Sequence, residues 1–65
     1  MAKRTDDIDF EDATNIFVSI FPDASLAEVL EHAERAERNF RAWGKAHETE
    51  VMGRVISIIR GRLSH

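Results

Sequence analysis

Apolar residues fall along this chain in two stretches of helical period. In the first, Phe10, Ala13, Ile16, Phe17, Ile20 and Phe21 recur at intervals of three and four, the spacing that gathers side chains on one face of a helix. Asp9 stands just ahead of the run as an N-cap, with Asp12 at the third helical position. The pattern predicts a short amphipathic helix over 9–21. A strand competes for Ile16–Phe21, which is rich in β-branched and aromatic residues, but the two-residue alternation of a half-buried strand is missing. Helix is the preferred reading. Phe21 and Pro22 close it, because proline breaks the hydrogen-bond ladder and drives the residue before it out of the helical region.

The second stretch opens at Ser25, with Glu28 three residues on. That spacing lets each side chain accept a hydrogen bond from the other residue's backbone N–H, a capping box. Leu26, Val29, Leu30, Ala33, Ala36, Phe40 and Trp43 then trace one stripe. Gly44 leaves two continuations. It suits the position just past a helix end, with Thr49 capping a third helix from Glu50 to about Leu63. Alternatively the helix runs on, and His47, Val51, Val55 and Ile58 keep the same stripe. No Pro, Asn or Gly cluster follows to make a loop, and Lys45, Ala46 and Glu48 favour helix, so one long helix over 25–63 is the preferred expectation. Such a rod would be about 38 residues and about 57 Å long, more than a 13-residue helix of the same chain could cover.

The last third sharpens this point. Val51, Met52, Val55, Ile56, Ile58, Ile59 and Leu63 spread over well more than a third of the helix circumference, and each large side chain left in water forfeits roughly 1.5–3 kcal/mol. That face must be a core or an interface. The fold class expected is therefore all-α, a helical hairpin or a three-helix bundle, and a homo-oligomer rather than a monomer. Its interface is expected at Leu26, Val29, Leu30, Ala33, Phe40, Trp43, His47, Val51, Val55, Ile58 and Ile59.

Polar positions tell a plainer story. Glu31, Glu34 and Glu37 each precede an arginine by four residues (Arg35, Arg38, Arg41), the favoured order for helical pairs, each contributing roughly 0.2–0.5 kcal/mol. Such a ladder marks a solvated face. Charge is uneven: Met1–Trp43 carries five basic and ten acidic residues, whereas Gly44–His65 carries four basic and two acidic ones. Between Thr5 and Asp23 every charged residue is acidic, and these acids interleave with the aromatic and aliphatic positions of the first helix.

The 65 residues make a single small domain, which buries only about 60% of its unfolded surface and has no cysteine to staple it. Residues 1–8 are polar, terminal and expected to be loosely held. No apolar run exceeds the three residues Ile16–Val18, so no transmembrane span or secretory signal is read, and a cytoplasmic location is the expectation.

Chemistry has little to build on. There is no cysteine or tyrosine and no glycine-rich phosphate loop, and no serine has His and Asp nearby, so no catalytic residue and no cofactor is expected. Glu28, Glu31, His32 and Glu34, with His47, Glu48 and Glu50, offer metal-ligating types. The Glu–His spacing of bundle di-metal centres is absent, however, and metal binding through His32 or His47 stays an alternative. His47 reads more simply as a polar residue at a subunit seam. A strand at 16–21 before two helices would share the element order of ribbon-helix-helix repressors, but its acidic surroundings would repel phosphate. Nucleic-acid binding is disfavoured. Membrane docking through Val51–Leu63 is disfavoured as well, because the aromatic anchors lie elsewhere.

The function expected is that of a small non-enzymatic interaction or regulatory protein. It would dock helices into a protein partner, with Phe10, Ile16, Phe17, Ile20 and Phe21 as anchors and acids including Asp9 and Asp12 steering toward a basic groove. An accessory subunit of a larger assembly is the structural alternative.

Overall fold

The computed structural model describes residues 8–64, so the expectation for the first residues falls, apart from Ile8, outside the described part. Three helices follow one another: α1 (Phe10–Ser19), α2 (Leu26–Ala42) and α3 (Ala46–Leu63). The described residues contain no strand, which removes the competing reading of Ile16–Phe21.

Both predicted start signals operate. The Asp9 carboxylate accepts from the Asp12 N–H at 3.1 Å. In the capping box at the head of α2, the Ser25 N–H donates to Glu28 Oε1 at 2.9 Å and the Glu28 N–H donates to Ser25 Oγ at 3.2 Å. The hydrogen bond from the Ser25 backbone, followed by the one with its side chain, holds the Glu28 carboxyl below the ordinary carboxylate pKa; nearby His32 adds a smaller pull in the same direction. A depressed folded-state pKa stabilises the fold above the unfolded value, and the contribution is lost as pH falls through the folded one. Glu28→Gln, which removes the charge that these bonds favour while keeping the side chain's shape, is therefore expected to destabilise the fold at neutral pH, with the deficit shrinking toward acid pH. Urea titrations of both proteins across the carboxylate range measure it, and a deficit that does not change with pH would contradict the coupling.

The long continuous helix does not form. Gly44 has φ +72°, the left-handed conformation that glycine adopts without a Cβ penalty. The Gly44 N–H donates to Arg41 O at 3.2 Å and the Lys45 N–H reaches back to Phe40 O at 2.9 Å, the two bonds of a Schellman ending. One glycine thus satisfies the freed carbonyls and turns the chain without a loop-rich segment. The longest dimension is 34 Å, well short of a rod of about 57 Å. The alternative third helix also starts earlier than expected, at Ala46 with Lys45 as N-cap. Thr49 lies inside α3, its hydroxyl donating to Lys45 O at 2.7 Å.

Folding α3 back supplies the cover that the sequence pattern demanded. Val29 and Ala33 of α2 meet Met52, Val55, Ile56 and Ile59 of α3 in one core, with Phe17, Val18, Phe21 and Leu30 partly buried against it. On α3 the buried set runs 52, 55, 56, 59, so Met52 and Ile56 are enclosed while His47 is exposed. Restarting the helix after Gly44 shifts the inward face by about one residue from the stripe extrapolated through it. α3 is the central element, packed against both α2 and α1.

α1 is also rotated from its expected face. Thr14 is fully buried, and its hydroxyl donates to Phe10 O at 2.7 Å, so the group enters the interior with its polar atom satisfied. Thr14 and Val18 occupy the inward line, and Ile16 and Ile20 point outward at 58% and 61% exposure.

Candidate functional site

The residues expected to bind a partner split into two groups. Phe10, Phe17 and Phe21 are half-buried and serve the chain's own packing. The Arg54 guanidinium sits 5.8 Å over the Phe10 ring. Phe17 meets Phe21 edge-on at 5.3 Å, and Phe21 stacks on His32 at 4.3 Å with the rings 5° from parallel. These contacts hold α1 and the following turn against α2 and α3.

Ile16 and Ile20 form the other group. One turn apart, they lie on the outer side of α1 in line with exposed Asp12, and exposed Asp23 follows in the turn. Asp9 is committed to its capping bond, and Glu11 to an ion pair with Arg62 of α3 at 2.9 Å. Among the described residues, no ion pair engages Asp12 or Asp23. The last turn of α1 has no basic residue, so the negative end of its dipole is uncompensated beside Ile20. The result is a short exposed apolar pair whose neighbours in the chain, Asp12 and Asp23, are acidic.

A second apolar feature stands at the α2–α3 turn. Trp43 is 67% exposed and makes an edge-on contact with half-buried Phe40 at 6.0 Å. Beside it lies an open groove of about 380 Å³ lined by Arg41, Gly44, Lys45, Ala46, Thr49 and Glu50. Of the other residues expected at an oligomer interface, Val29, Ala33, Val55 and Ile59 are inside the chain's own core. Leu26, Leu30, Val51 and Ile58 are half-buried, and His47 is exposed in the first turn of α3. Trp43 is the one large apolar member of that set that stays mostly exposed.

Between α2 and α3 a polar groove of about 420 Å³ collects Glu34, Glu37, Arg38, Arg41 and Arg60 around Gly53 and Ser57. Glu37 pairs with Arg41 at 3.5 Å along the helix, as the ladder predicted. Glu34 instead reaches across to Arg60 at 2.8 Å. The arginines near the end of α3 thus stitch it to both other helices, and such exposed pairs contribute about 0–1 kcal/mol each.

No group of three or more His, Asp or Glu side chains is arranged to hold a metal ion among the described residues. His32 is occupied in its stack on Phe21. No helix among the described residues is long and apolar enough to cross a membrane. Comparisons with protein-family models, with curated proteins and with solved structures find no match to the chain. The residues themselves therefore carry the functional reading.

The outward position of Ile16 and Ile20 is not evident from periodicity. The signal that could have revealed it is Thr14, whose hydroxyl bonds within its own helix and so lets a nominally polar position take the inward line.

Proposed function

We propose that the chain is a small non-enzymatic interaction protein, a regulator or adaptor that acts by docking a helix face onto another protein and by self-association. What supports this is the placement of its largest solvent-facing apolar side chains. A domain this small has little apolar surface to spare, yet Ile16, Ile20 and Trp43 each stay more than half exposed. Burial of each in a complex would contribute roughly 1.5–3 kcal/mol. They sit at two separate places, α1 and the α2–α3 turn, which suits one surface for a partner and another for a second copy.

Self-association has a built-in reporter, since Trp43 is the single tryptophan of the chain. Raising the protein concentration is expected to move its fluorescence to shorter wavelength as sedimentation detects a dimer. Trp43→Ser is expected to keep the helical circular dichroism and lose the dimer. A monomeric mass with unchanged emission at the highest soluble concentration would remove self-association from the proposal.

A further inference from the structure

We infer that the outer face of α1 docks a basic amphipathic helix of a partner protein, weakly and with strong salt dependence; this rests on the interaction reading above and names its partner's chemistry. The apolar part of the strip is Ile16 and Ile20, one turn apart, with exposed Asp12 one turn before them and exposed Asp23 in the turn that follows. Two sources set the sign of the potential there, and no base on the last turn of α1 offsets them. Asp12 and Asp23 have no ion-pair partner among the described residues, and α1 has no basic side chain in its last turn. The backbone carbonyls ending α1 add the negative pole of the helix dipole.

Charge complementarity therefore selects the occupant. Phosphate-rich surfaces, whether nucleic acid or anionic lipid, are repelled. A second copy of α1 is also unfavourable. Pairing two copies about the isoleucines would bring together surfaces whose nearest unpaired charges are all carboxylates. A helix with leucines or isoleucines on one face and Lys or Arg at its flanks fills the strip and supplies both missing cations. Two isoleucines cover far less than the ~800 Å² per partner of a standard stable interface, so the contact is transient and long-range attraction contributes heavily to its formation. Screening by salt follows directly.

The test titrates the isotope-labelled full chain with two synthetic helical peptides that share a leucine face, one flanked by lysines and the other by glutamates. The lysine peptide is expected to shift the backbone amide signals of Asp12, Ile16, Ile20 and Asp23 and to bind more weakly as salt is raised. An Ile16→Ser/Ile20→Ser variant is expected to lose about tenfold or more in affinity. An Asp12→Asn/Asp23→Asn variant is expected to lose the preference for lysine over glutamate. Circular dichroism confirms that these surface variants stay folded. Equal binding of the glutamate peptide, or shifts centred on Trp43, would overturn the inference and leave the chain an interaction protein with a different surface. If neither peptide shifts any signal, the docking strip is abandoned and only the sedimentation result bears on the broader reading.

Discussion

Replacing Ile59 by alanine is expected to destabilise the fold by about 2–5 kcal/mol, the cost of deleting a large, fully enclosed aliphatic side chain whose cavity cannot collapse completely. Ile59 has no solvent exposure and lies in the seam where α3 meets α2. A domain of this length holds only about 3–10 kcal/mol in total. The variant is therefore expected to be largely unfolded at moderate temperature. Urea denaturation followed by far-ultraviolet circular dichroism measures the loss, and Ile16→Ala is the control, expected to change stability by less than about 0.5 kcal/mol if the chain is monomeric in the assay. A loss of under 1 kcal/mol for Ile59→Ala, or equal effects from the two substitutions, would contradict this core. A midpoint that rises with protein concentration would mean that association contributes to the measured stability.

Gly44→Ala is expected to redirect the chain as well as weaken it. A Cβ at this position meets nothing within 4 Å, so the penalty comes from the backbone alone. Holding a non-glycine residue at positive φ costs about 1–2 kcal/mol, and alanine also favours an uninterrupted helix by about 0.8–1 kcal/mol over glycine. The balance between the folded-back hairpin and a straightened α2–α3 helix thus moves by about 2–3 kcal/mol toward the straight form. A straight α2–α3 helix exposes the faces that pack together in the hairpin, and a second chain can cover them by exchanging elements. The expected result is a domain-swapped dimer with undiminished helicity, seen by sedimentation. Gly61 supplies the control: it also faces open space but lies within α3 at ordinary φ, so Gly61→Ala is expected to be neutral or stabilising by up to about 1 kcal/mol with no change of mass. A Gly44→Ala protein that stays monomeric and as stable as the parent would show that the turn does not depend on glycine.

Local chemistry made much of the fold legible. The Asp9 cap and the Ser25–Glu28 box each depend on residues within a few positions, and both stand where the sequence places them, whereas α1 ends at Ser19, two residues short of the expected boundary at Phe21 and Pro22. Gly44 was harder, because its two outcomes differ little in local energy. What separates them is contact between Val29 or Ala33 and residues such as Ile56 and Ile59, more than twenty positions further on, which no short window contains. The same limit explains Glu34, whose arginine four residues later loses to Arg60 on another helix.

The candidate surface was legible in composition and illegible in orientation. Acidic and apolar residues share the first helix, but a broad apolar arc does not reveal which part faces inward. Phe17 and Phe21 turn to the chain's own interior, whereas Ile16 and Ile20 remain outside. Thr14 can take the inward line because its hydroxyl is satisfied within its own helix, a bond that its residue type permits but does not require.

The central place of α3 carries one more consequence. α2 and α3 are neighbours in sequence, joined by a tight turn, and share every buried aliphatic residue of the core, whereas α1 leans on them from one side with partly buried residues and Thr14. The pair is expected to show the slowest amide exchange, and α1, with fewer buried contacts, to open at lower free-energy cost. On the docking proposed above, a partner that grips α1 would hold the element expected to open first, and with it a handle on how far this small protein is closed.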